Sequence, residues 1–167
     1  MKKQISNEQT EGNIGEVLHL LAEIPDRLKR LSNGLSTKKL HEPLGKGERS
    51  FDETLAHILN CEAITAESIY LALLLKEPAM HRIHPERDLG KLIRLDQMPF
   101  EELMGYFKFR RTVLLKILNS LKDKQWSKTI REEGKQRKES VYWRARGQAL
   151  HELEHVLDLE KKLEKKS

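Results

Sequence analysis

The sequence predicts an all-α protein, a four-helix bundle whose second and third helices are joined by a long crossover. Three observations predict it. Four stretches repeat apolar residues at helical spacing. Alternating β-branched runs are scarce, so no substantial sheet is expected. The two central stretches are separated by residues 77–98, which hold Pro78, Pro85 and Gly90 and show no long periodic pattern. A helix of ~25 residues is ~37 Å long. A linker of this length can travel back along it, which lets helices two and three run parallel where short links force antiparallel neighbours.

The first helix is expected from about Asn13 to Asn33, on Ile14, Val17, Leu18, Leu21, Ile24, Leu28 and Leu31. Pro25 should kink it, and Asn33-Gly34 should stop it. Ser50-Phe51-Asp52-Glu53 opens the second helix as a capping box. It should run to about Lys76, ahead of Glu77-Pro78. Pro99 suits the first position of the third helix, and Glu101 and Glu102 favour its positive end. That helix presents Leu103, Tyr106, Phe107, Val113, Leu114, Ile117, Leu118 and Leu121. Ser140 caps the fourth, which should end near Lys165. Residues 1–12 read as a flexible N-terminal segment and 13–165 as a single domain.

Composition bounds the function. A hydrophobic share of 38% supports one buried core, and no run approaches 18 consecutive apolar residues, so no membrane partner is expected. The basic start lacks the apolar stretch of a signal peptide, and the one cysteine, Cys61, excludes an internal disulfide framework. A cytoplasmic protein is expected. The net charge of +5 raises the question of nucleic acid, but the lysines and arginines are scattered and little aromatic residue is interleaved. Nucleic acid is therefore not expected as a partner.

The chemistry concentrates in histidines. His57 shares a stripe of the second helix with Cys61, Ile64, Ser68, Leu71 and Leu75. An imidazole among apolar neighbours must find a partner, either a backbone carbonyl or a metal. His151 and His155 are four apart, one turn along a helical face. Two such rings can share an ion at ~2.0–2.1 Å per bond. They fall outside the apolar arc of Leu150, Leu153, Val156 and Leu157 and join Arg144, Gln148 and Asp158. This predicts a rim-facing pair beside a buried His57. Cys61, one turn after His57, is either a small packed thiol or a group near the metal. His19 and His41 read as surface or packing residues, and His81 and His84 as mobile loop residues.

His151-Glu152-Leu153-Glu154-His155 is also a literal H-E-x-x-H, the zinc-protease string. Only twelve residues follow His155, no His-x-x-Gly-x-x-His extension is present, and Glu154 stands where such motifs are usually apolar. A protease is not expected.

Gly47-Glu48-Arg49-Ser50-Phe51-Asp52-Glu53-Thr54-Leu55-Ala56-His57-Ile58 resembles the G-E-W-S-x-x-E-x-L-A-H-L entry to the second helix of DinB/YfiT-like proteins. Leu150 to Val156 resembles their final H-x-x-x-H segment, and Trp126 sits where many members carry a tryptophan. The resemblance spans roughly Ile14 to Leu163. It implies a bundle in up-down-down-up order and a divalent-metal site of His57, His151 and His155. Zinc or nickel comes first, with iron, cobalt or manganese also suited. It further implies thiol-dependent transfer or isomerisation, with a low-molecular-weight thiol such as bacillithiol, mycothiol or glutathione and a small electrophile as partners. Glu152, Glu62 or Glu154 is then expected to orient a ligand. The alternative is a non-catalytic module in which the metal pins helix two to helix four. Bundles of this kind often pair through an apolar helix face, and a homodimer is an open expectation. Two departures stand out: Arg49 where a tryptophan is common, and Arg146 and Gln148 where the last helix is often apolar.

Overall fold

The computed structural model describes residues 4–164. Residues 1–3 of the N-terminal segment, and Lys165 at the predicted end of the fourth helix, lie outside the described residues. In chain order come α1 (Glu11–Ser32), α2 (Thr37–His41), α3 (Phe51–Leu74), β1 (Ala79–Met80), a π-helical turn (Pro85–Gly90), α4 (Lys91–Ile93), a 3-10 turn (Leu95–Gln97), α5 (Phe100–Asn119), α6 (Asp123–Trp126), β2 (Thr129–Glu132), β3 (Lys138–Ser140) and α7 (Val141–Glu164). The long helices α1, α3, α5 and α7 form the four-helix bundle. α1 packs on α5 and α7, and α3 packs on the same two. Their shared core holds Val17, Leu28, Leu55, Ile69, Phe107 and Val156. Among the described residues, no helix is long and apolar enough to cross a membrane.

Side-chain caps set where α1, α3 and α7 begin. The Ser50 Oγ accepts from the Glu53 amide at 3.1 Å, and a Glu53 carboxylate oxygen accepts from the Ser50 amide at 2.8 Å. This reciprocal cap satisfies two otherwise orphan donors and fixes the start of α3, two turns before His57. The Ser140 Oγ accepts from the Trp143 amide at 3.1 Å and does the same for α7. Thr10, not Asn13, begins the first helix by accepting from the Asn13 amide. α1 continues through Pro25 as one element. Proline removes the bond that would have satisfied the Leu21 carbonyl four residues earlier. The Arg111 Nη1 donates to that carbonyl instead, at 2.6 Å.

Two predicted features differ from the structure. Part of the N-terminal segment read as flexible is packed: Ile5 is 2% exposed, and its carbonyl and that of Ser6 accept from Arg146 and Tyr142 of α7. A small three-stranded sheet, unexpected from the sequence, joins the crossover to the α6–α7 connection. β1 pairs parallel to β2, with Ala79 opposite Arg131, and β2 pairs antiparallel to β3, with Ile130 opposite Glu139. Strands of two to four residues are too short to show an alternating pattern. The sheet ties the start of the α3–α5 crossover to the α6–α7 connection. The π-helical turn then lies on α3: a Cβ at Gly90 would stand 3.1 Å from the Asn60 Nδ2 and 3.1 Å from the Pro85 carbonyl, so glycine permits this close approach.

Candidate metal centre

His57 comes from α3, and His151 and His155 from one face of α7. The structure brings all three rings together. The Nε2 atoms of His57 and His151 are 3.2 Å apart, and those of His151 and His155 are 3.1 Å apart. Ring centroids are separated by 5.1, 4.8 and 4.6 Å, all edge-on. The His151 Nε2 thus faces two ring nitrogens, and one proton on it cannot satisfy both. Nitrogens held ~2.0–2.1 Å from one tetrahedral ion stand ~3.3 Å apart, close to both observed separations.

Cys61, one turn along α3, belongs to this group. Its Sγ is 3.7 Å from the His57 Nε2, and the ligand atoms of His57, Cys61 and His151 lie within 4.8 Å of one another. These residues could hold a metal ion. The electrostatics agree with a neutral donor set. Burial, then the neighbouring rings, lowers the pKa of His155 to about 4, and burial followed by the charge of His57 lowers that of His151. Burial, reinforced by Glu86 and Glu152, pushes the Cys61 thiol up to about 12. Without an ion Cys61 is therefore a protonated thiol and a poor nucleophile.

The crossover contributes a residue that the sequence reading missed. A Glu86 carboxylate oxygen makes a short contact with the His57 Nδ1. A proton on Nδ1 donated to Glu86 leaves the Nε2 lone pair directed at the other rings, the arrangement that orients metal-binding histidines. His84, read as mobile, instead caps the turn that carries Glu86: its Nδ1 accepts from the amides of Glu86 and Arg87 at 3.2 and 3.1 Å. The histidine just before Pro85, at the first position of a helical turn, was the available signal. The other loop histidine, His81, pairs with Glu133 at the surface, away from this turn. A cleft of about 1040 Å³ opens beside His57 and Glu86, lined also by Arg49, Asn60 and Lys91.

Two further expectations are corrected. Glu152 and Glu62 do not face the rings. They are turned into the core, where the Arg111 Nη2 lies 2.6 Å from Glu152 and 3.6 Å from Glu62. Gln148 is also buried there; it donates to Glu152 at 2.7 Å and accepts from Thr65 at 2.9 Å. The face read as a polar rim is therefore split. Gln148 enters the core, while His151 and His155 are half-buried beside the His57 ring, which is half-buried too.

Four helices around half-buried imidazoles, with a thiol beside them, define a class: helical bundles with a candidate metal centre between the second and fourth long helices. The model of the DinB superfamily matches residues 20–159, and the chain belongs to that superfamily. A solved structure, YfiT from Bacillus subtilis, superposes with a TM-score of 0.84 at 12% identity, covering 96% of this chain and 91% of that one. It is described as "a probable metal-dependent hydrolase with an unusual four-helix bundle topology". No curated protein matches the chain.

Proposed function

We propose that this chain binds one divalent ion through His57, His151 and His155 and uses it to transfer a small thiol to an electrophilic carbon. The observation that carries the reading is the convergence of the three Nε2 atoms at 3.1–3.2 Å across two helices. Zinc or nickel suits such nitrogen donors, with iron, cobalt or manganese as alternatives. A bound ion would supply Lewis acidity that favours the thiolate form of a thiol at neutral pH. In the transfer, the thiol loses its proton, a carbon–sulfur bond forms, and the leaving group departs with its electron pair.

The protein's own residues prepare this chemistry. Glu86 fixes the tautomer of His57. Burial keeps His151 and His155 unprotonated, so protons do not compete for their lone pairs at neutral pH. The cleft gives the reactants access from one side. With water in place of the thiol, the same site would be hydrolytic, which is the activity that the description of YfiT as "a probable metal-dependent hydrolase" names.

A second reading is favoured by Cys61. Nitrogen and sulfur around one tetrahedral ion stand ~3.6 Å apart, and the Cys61 Sγ lies 3.7 Å from the His57 Nε2. A fourth protein ligand closes the site and makes it a structural pin between α3 and α7. Elemental analysis of untagged protein, followed by thiol-transfer assays on the loaded form, separates the readings. Near-stoichiometric metal that His151→Ala loses, with turnover of at least one thiol and electrophile pair, supports the enzyme. Bound metal with no turnover, and a large chelator-induced loss of thermal stability, supports the pin.

A further inference from the structure

We propose that the outer face of α5 pairs with the same face of a second copy of this chain, giving a weak two-fold dimer whose α5 helices run antiparallel about Phe109. The three histidines lie on α3 and α7, so the pairing is independent of the candidate metal centre and its chemistry.

The side of α5 that faces away from the core is where solvated residues belong. At about 100° per residue, Phe107, Arg111, Leu114 and Leu118 point into the bundle, while Glu102, Gly105, Phe109, Thr112 and Lys116 point away from it and are exposed. Those five recur in steps of 3, 4, 3 and 4, the spacing of a coiled-coil seam. Phe109 stands at its centre at 68% exposure, flanked by Tyr106 at 44% and Val113 at 38%. Periodicity groups Tyr106 and Val113 with the apolar residues of this helix, but the fold of one chain covers neither. Single exposed apolar residues are ordinary; three within two turns, on the side opposite the core, form a patch.

The charges of this face point to what covers it. Glu102 lies seven residues before Phe109 and Lys116 seven after it. Neither side chain has a hydrogen-bond or ion-pair partner among the described residues. A two-fold axis at Phe109 sets Glu102 of each copy against Lys116 of the other. A parallel pair would set Glu102 against Glu102 and Lys116 against Lys116, which repels. The antiparallel order also opposes the two helix dipoles. The same axis turns Val113 toward Gly105, where nothing stands within 4 Å of an added Cβ, so the larger residue has a gap to fill. The basic residues nearest the axis are already matched within the chain: Lys108 lies 3.4 Å from Asp26, and Arg110 lies 3.5 Å from Glu62. One helix face per chain covers less than the ~1,200 Å² of a stable complex, so the dissociation constant should be on the order of 10–100 µM.

Sedimentation equilibrium of the full chain, from about 1 µM to about 1 mM, reads the pairing. Wild type should pass from monomer to dimer across this range. Phe109→Lys should weaken the dimer about 100-fold or more and leave the melting temperature at low concentration unchanged, because Phe109 is exposed within one chain. Glu102→Lys and Lys116→Glu should each weaken self-pairing about tenfold at low salt, since each turns two attractive contacts into two repulsive ones. Mixed together, these two variants should pair with each other about as tightly as wild type pairs with itself. The double variant Glu102→Lys with Lys116→Glu should regain the wild-type constant. Mutual rescue of this kind supports the antiparallel two-fold seam. A chain still monomeric at about 1 mM, a dimer indifferent to Phe109→Lys, or charge variants that do not rescue each other overturn it.

Discussion

Neighbouring residues of the same two helices build two different environments. Cys61 and His151 face the candidate metal centre at His57, which borders the cleft, while Glu62 and Glu152, one position further along, face the core. Adjacent helical residues point about 100° apart, so a single step carries a side chain from one environment to the other. On the cleft side the groups are half-buried, neutral and short of partners. On the core side a cation, two carboxylates and an amide are almost fully buried around Arg111. Arg111 also reaches the Leu21 carbonyl that Pro25 leaves free, so this cluster ties α1, α3, α5 and α7 together. The comparison teaches a division of labour: the core cluster holds the helices in register, and the cleft cluster is left with unsatisfied lone pairs that an ion can use.

The sharpest way to break this comparison is to empty the core side. Arg111→Met leaves Glu152 and Glu62 buried without their cation, and should cost about 3–5 kcal/mol of stability. Denaturant unfolding of the metal-free protein measures it. Replacing Arg111, Glu62 and Glu152 together by apolar residues of similar volume should recover most of that loss. A single mutant as stable as wild type would mean that the cluster does not hold the bundle.

On the cleft side, Glu86→Gln should weaken metal binding about 10- to 100-fold with little change in metal-free stability, read by competition against a chelator. Unchanged affinity would remove Glu86 from the centre.

The smallest effect is a difference of sign with pH in the metal-free protein. The folded-state pKa of His155 is lowered to about 4. Its contribution is present above the ordinary imidazole value of ~6.5 and is lost as pH falls toward 4. Burial raises Glu62 to about 7, against the opposing charge of Arg111. Its contribution is present below about 4.5 and is lost as pH rises through 7. Relative to wild type, His155→Gln should therefore gain stability toward low pH and Glu62→Gln toward high pH. Thermal melts from pH 4 to 8 give both slopes, and slopes of the same sign would merge the two environments.

The fold was legible because its signals are local. Ser50 with Glu53, Ser140 and the apolar periodicity each act within one or two turns. The three histidines were legible as a group because two helical faces and a family resemblance point to them. Glu86 and His84 were not, since they lie in a crossover without period and matter only once the turn docks on α3 through Gly90. The core cluster was hidden for another reason. On a helical wheel Glu62, Arg111, Gln148 and Glu152 look like ordinary solvated residues, and only their meeting across four helices explains their burial. Pro25 carried a partial signal, because a proline inside a buried helix frees a carbonyl that something must satisfy.

The most direct test of the division is His151→Ala, measured twice: metal affinity by chelator competition, and metal-free stability by denaturant unfolding. The account predicts that bound metal falls from near one ion per chain to near none, while metal-free stability stays within about 1 kcal/mol of wild type. A variant that keeps its metal, or one whose metal-free form unfolds as readily as Arg111→Met, would contradict it.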